Sequence, residues 1–124
     1  MEEIEITGLS PGQFDQVIGP QCAAAFKSVL ERARNRQGNH TLWHINSTAQ
    51  GGGVAEMLQS ILGYVVGAGI RCRWLVIDGT VDFFELTKRL HHLLHGQPHE
   101  GPSLDSHGRH TYEQALASDA DRIA

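Results

Sequence analysis

Cysteine is scarce in this chain. Cys22 and Cys72 are its two thiols, and their separation fits no metal-binding motif. Both are expected as reduced, buried residues of a cytoplasmic protein. No apolar run approaches the 18 or so residues that a membrane span requires. The start, MEEIEI, is acidic and has none of the basic character that opens a signal peptide. Basic patches are missing too. The formal charge is −4, with five acids and four bases in residues 1–38 and nine acids and six bases in residues 39–124, so nothing argues for nucleic acid. What is present suits one soluble domain: 124 residues, 40% of them hydrophobic, enough to build a core. No internal repeat is visible.

The periodicity alternates between strand and helix. Ile4 and Ile6 alternate with acids and read as a short edge strand, followed by a turn at Ser10-Pro11-Gly12. Cys22, Phe26, Val29, Leu30 and Ala33 recur at helical spacing, and Gly38 is the expected stop. A strand over 41–46, a helix over 53–67 and a strand over 72–77 form an expected βαβ unit. Both strands are apolar without clean alternation, as in a parallel sheet covered on two faces. Asp82 is the expected cap of a third helix, with Glu85 as its capping-box partner. Residues 97–109 read as loop, and a final helix carries Tyr112, Ala115 and Leu116. Two or three strands make a poor free-standing parallel sheet, so the domain reads as incomplete, with an open sheet edge that invites a homodimer.

The richest stretch is LWHINSTAQGGGVAEML, residues 42–58. A strand runs into three glycines, Gly51, Gly52 and Gly53, and a helix starts at once. Glycine lets backbone approach a ligand, and a helix N-terminus presents unpaired N–H groups that attract anions. The motif is neither a Walker A loop nor G-x-G-x-x-G. The alternative is a tight turn with a residue at positive φ.

WHINSTAQGGGVAEML, RWLVIDG and FFELTKRLHHLLHG, in that order and with similar gaps, resemble the N-terminal part of the trehalose-forming glycosyltransferases, retaining GT-B enzymes of family 4. The resemblance covers residues 15–96 and continues more weakly from Tyr112 to Ile123. It implies an α/β, partial Rossmann-like, three-layer fold with a short parallel sheet and flanking helices. It implies a single acceptor-side domain over 1–124, with the donor-binding domain absent. The family transfers glucose from a nucleotide-glucose donor to a glucose acceptor, and the resemblance implies no further cofactor. The family's donor-site pair of glutamates separated by seven residues has no counterpart here, so no catalytic residue is assigned.

Gly51, Gly52 and Gly53 are therefore candidates for the donor diphosphate or the acceptor sugar. His44 and Asn46 fall at the end of the first βαβ strand, where open α/β sheets place ligands. His44 also reads as a buried, hydrogen-bonded residue. Ser47 either binds sugar hydroxyls or caps the helix. Asp78 either binds acceptor hydroxyls or makes a plain Asp-Gly turn. Lys88 and His91 lie in the family-like block and face either a cleft or solvent. His91, His92 and His95 lack the carboxylate or cysteine that would complete a metal set, so no metal is expected. Two other functions compete with the glycosyltransferase reading. One is a sugar- or phosphate-binding module without turnover, and the other is a self-associating interaction domain.

Overall fold

The computed structural model describes residues 1–51, 53–98, 100–120 and 123. Its elements follow the order β1 (Glu2–Ile4), a 3₁₀ turn (Pro11–Phe14), α1 (Asp15–Gln37), β2 (Leu42–Asn46), α2 (Gly53–Gly67), β3 (Cys72–Val76), α3 (Val81–Leu94) and α4 (Ser106–Ala120). They divide into two compact units, Glu2–Val76 and a second made of Ile77–Ala124 with Met1.

In the first unit the expected βαβ is present. β2 and β3 pair in parallel, Leu42 opposite Cys72 and Asn46 opposite Val76, with α2 as the crossover. The sheet as a whole is mixed, because β1 adds antiparallel to the other side of β3 and gives the order β1-β3-β2. The edge strand expected near Ile4 therefore forms and shields one edge of β3. β2 is the opposite edge.

The core of this unit lies where α2 meets β3. Leu58 and Leu62 of α2 pack with Trp74, and Ile4, Ile6, Cys72 and Val76 surround them. Leu58 and Leu62 are four residues apart and so share one helix face. The segment after β1 runs along α2, where Leu9 donates its N–H to the Gly63 carbonyl at 2.9 Å. A Cβ on Gly67 would stand 1.8 Å from the Leu9 carbonyl oxygen, so only glycine allows this approach.

α1 is longer than its apolar spacing predicts and is broken. Gly19 has φ 76° and ψ 164°, Pro20 follows, and a short N-terminal turn meets the main helix there. None of the spaced residues is buried: Phe26 and Leu30 are half-buried, Cys22, Val29 and Ala33 are exposed, and the buried residue of the helix is Ala23. Cys22 is exposed and Cys72 half-buried, which corrects the expectation of two buried thiols. Cys72 is still sheltered enough for burial to push its thiol pKa up.

In the second unit α3 is capped two residues earlier than expected. Thr80 is the N-cap, its Oγ1 accepting the Phe83 N–H at 3.3 Å, while Asp82 sits in the first turn. Phe83 and Leu86 are the buried face of α3, and Phe83 stacks on Tyr112 of α4 with centroids 5.7 Å apart. α4 also begins earlier than expected, at Ser106. Asp105 Oδ1 accepts the N–H groups of His107 at 2.9 Å and Gly108 at 3.1 Å, which starts the helix inside the stretch read as loop. Among the described residues no helix is long and apolar enough to cross a membrane.

Candidate functional site

The strand-loop-helix joint of the first unit is held by its own side chains. Asn46 closes β2 and uses both ends of its amide: Oδ1 accepts from the Trp74 indole N–H at 2.7 Å, and Nδ2 donates to the Thr48 carbonyl at 2.6 Å. Thr48 folds back on Gln50, donating to its carbonyl at 2.5 Å and accepting from its N–H at 3.2 Å. Gln59, nearly two turns into α2, donates to the Ala49 carbonyl at 3.3 Å. The loop between β2 and α2 is thus fastened at Thr48, Ala49 and Gln50, before the glycines begin.

Two of the three glycines can be judged. Gly51 has φ 75°, a conformation that side chains with a Cβ resist, so backbone geometry alone explains it. Gly53 is different. It opens α2, its φ is not positive, and a Cβ built on it would meet nothing within 4 Å. Neither the backbone nor internal packing demands a glycine there. Gly52 lies outside the described residues.

His44 is half-buried in mid-strand, in register with Trp74, rather than at the strand end. Ser47 is exposed immediately after β2. Neither makes a side-chain hydrogen bond among the described residues. The structure thus brings Asn46, Ser47, Gly51 and Gly53 to one end of β2, with His44 two residues back along the strand.

The remaining candidates belong to the second unit. Asp78 is exposed, two residues before the Thr80 cap. Its neighbour Gly79 is sterically required, because a Cβ there would lie 2.4 Å from the Phe83 ring. Lys88 and His91 are exposed and three residues apart on α3, on a side turned from the buried Phe83 and Leu86. The His91 ring lies 4.4 Å from that of His95, and His92 pairs with Gln97 at 3.0 Å. No group of three metal-ligating side chains occurs among the described residues.

Some structural residues were not read from the pattern. Arg73 stacks over Trp43, 4.5 Å from the ring centroid, and is paired with Glu3 of β1. Its hydrogen bonds to that carboxylate push its pKa up. Arg89 Nη1 donates to the carbonyls of Gly101, at 2.8 Å, and Pro102, and so fixes the loop that leads to α4. The signal for Arg73 lay in a single basic residue on an otherwise apolar strand, whereas Arg89 stands beside Lys88 on a polar helix and carried no such signal.

Residues 44–124 match the family described as the N-terminal domain of trehalose synthase. A trehalose synthase of Thermococcus litoralis is 37% identical over 83 residues, which cover 67% of this chain and 19% of that protein. One from Pyrococcus furiosus is equally similar. One from Rubrobacter xylanophilus is 32% identical over 115 residues, 86% of this chain and 27% of its own length. The chain therefore spans about a fifth to a quarter of the length of these relatives.

Proposed function

The chain belongs to the trehalose synthase N-terminal-domain family, and from that premise we propose that it is the acceptor-side part of a trehalose-forming glycosyltransferase. Such an enzyme would move glucose from a nucleotide-glucose donor to free glucose with retention. In this reading residues 1–124 are an incomplete first half of a GT-B, Rossmann-like enzyme acting in the cytoplasm. The carboxylates that carry the chemistry would come from outside these residues.

The part played by this chain is positional and electrostatic. The start of α2 presents free N–H groups and the positive end of a helix dipole, both suited to charge building on a departing diphosphate. Ser47 would add an exposed hydroxyl where β2 ends, and His44 and Asn46 belong to the strand that leads there. In the second unit, Asp78 would accept from sugar hydroxyls, and Lys88 and His91 would offer donors to hydroxyl or phosphate oxygens. Holding the two reactants in place removes much of the entropic barrier to transfer.

One observation carries the reading. Gly53 is a glycine that the fold does not need, open to space at a helix start. A ligand that must lie against the backbone supplies the missing reason.

Gly53→Ala tests it. Alanine is a better helix residue than glycine by about 0.5–1 kcal/mol, so the melting temperature should hold or rise. Affinity for a nucleotide-glucose or for glucose, measured by titration calorimetry on the parent and the variant, should fall. Equal affinity in the two proteins would remove the ligand role of this glycine. Residues 1–124 incubated alone with glucose and nucleotide-glucose should form no trehalose by sugar chromatography, and enzyme-like turnover would refute the assignment of the carboxylates elsewhere.

A further inference from the structure

Trp74 is 1% exposed and packs against Leu58 and Leu62 of α2. An indole carries one donor and no acceptor. A donor buried this deeply costs stability unless it is bonded. Its acceptor is Asn46 Oδ1, at the end of the neighbouring strand.

That bond decides which way round the Asn46 carboxamide sits. Because the indole can only donate, Asn46 must offer it oxygen, and the NH2 group is turned to the other side. There Nδ2 meets the Thr48 carbonyl. A reversed carboxamide would set NH2 against the indole N–H and oxygen against the Thr48 carbonyl. Both contacts would then be lost, one donor against donor and one acceptor against acceptor.

The chain of bonds continues into the loop. The Thr48 hydroxyl bonds the N–H and the carbonyl of Gln50. Ala49, between them, rests against the same core, and its carbonyl accepts from Gln59 of α2. Gly51 follows at once with its positive φ. Every group in the series lies within residues 46–74 of the Glu2–Val76 unit. The acceptor half of Asn46 thus serves the core, and the donor half serves the loop.

We infer that Trp74 is a positioning residue for the β2–α2 loop. Its indole N–H orients the Asn46 carboxamide, and Asn46 then holds the loop from Thr48 to Gly51 in one form before any ligand arrives. This rests on the function proposed above, in which the segment that follows lies against a ligand. Trp74 is too deeply buried to touch a ligand at the loop, so its indole N–H acts on binding through Asn46. The gain is preorganisation. A loop in its competent form for only about a tenth of the time binds about tenfold more weakly.

Asn46→Asp separates the two halves, because it keeps the acceptor for the indole and loses the donor for Thr48. By hydrogen exchange, the Trp74 indole N–H should stay as protected as in the parent. So should the Leu9 amide, which is bonded to Gly63. The Gln50 amide should exchange about tenfold faster, and calorimetric affinity for a nucleotide-glucose or for glucose should fall by a similar factor. Trp74→Phe keeps an aromatic ring in the core, deletes the donor, and should loosen Gln50 too. On an Asn46→Ala background the same change should loosen Gln50 no further, since both cut one series of bonds. Additive effects would mean that Trp74 acts on the loop by packing alone, and would overturn the inference. A Gln50 amide as protected in Asn46→Asp as in the parent would also overturn it, as would a looser loop with unchanged affinity. If the Trp74 variants do not fold, Asn46→Asp decides alone. A parent that binds neither ligand would refute the functional reading by itself, and the Gln50 amide would still decide whether Asn46 holds the loop.

Discussion

Asn46 illustrates how one side chain can be read two ways. Its position after an apolar strand suits a sugar ligand, yet its amide already joins the buried Trp74 to the loop at Thr48. Asn46→Ala would leave the indole N–H of Trp74, itself 1% exposed, without its acceptor. Leaving a buried donor unsatisfied costs about 1–3 kcal/mol. Chemical denaturation should show that loss, and Asn46→Asp, which keeps an acceptor, should lose less. The thiols give a second residue-scale expectation. Cys22 is exposed, whereas Cys72 is sheltered and its pKa is raised by burial, so less of it is thiolate at neutral pH. A maleimide at neutral pH should label Cys22 well before Cys72, as peptide mass mapping would report. Labelling in the reverse order would contradict the exposure of α1.

At the scale of elements, helix starts were the least legible feature of the sequence. Thr80 and Asp82 both suit a cap before α3, and the earlier one prevails because its hydroxyl reaches the Phe83 N–H, leaving Asp82 where the helix dipole favours an acid. α4 was hidden by its own composition. Ser103, His107 and Gly108 look like loop, but Asp105 gathers two N–H groups and starts a helix among them. Those bonds, from Gly108, then the Ser103 side chain, then His107, hold the Asp105 carboxyl below its ordinary pKa. A depressed folded-state pKa contributes stability at pH above the unfolded carboxylate value, about 3.9. That contribution is lost as the pH falls through the folded value. Acid titration followed by helix-sensitive circular dichroism should show α4 fraying in that window. Asp105→Asn, which still accepts as a cap, should remove the pH step. Gly67→Ala is the corresponding test for α2. The carbonyl of Leu9 occupies the space a Cβ needs, and forcing it aside should cost about 1–3 kcal/mol.

For the whole molecule, the fold was more legible than the site. The βαβ unit announces itself because parallel strands need a crossover, and Val54 to Val65 supply a 3.6-period helix of the right length between two apolar runs. β1 was legible as an edge because acids alternate with Ile4 and Ile6. The break in α1 at Gly19 was not, since Gly-Pro marks a turn as readily as a kink. Ser47, Lys88 and His91 stayed ambiguous for a physical reason. A solvated polar side chain and one waiting for a ligand leave the same pattern in a sequence, and in the structure all three are exposed. The core is less forgiving. Leu62 is 1% exposed against Trp74, and Leu62→Ala should lower the stability of the Glu2–Val76 unit by about 2–5 kcal/mol in urea unfolding. A loss well below that range would mean that the core around Trp74 collapses to fill the space.

The arrangement of the sheet sets a timetable for synthesis. Glu3 and its partner Arg73 are 70 residues apart in sequence, and β2 likewise has no partner until β3 is made. At about 5–20 residues per second, the first strand waits roughly 4–14 s before it can pair. Its acids suit it to that wait. LWHIN has no such protection, and α2, the only element made between it and β3, covers part of one face. A pause after β2 has emerged from the ribosome and before β3 has emerged therefore keeps β2 unpaired, whereas a later pause does not. Codon choice in that interval becomes a lever on the yield of folded protein.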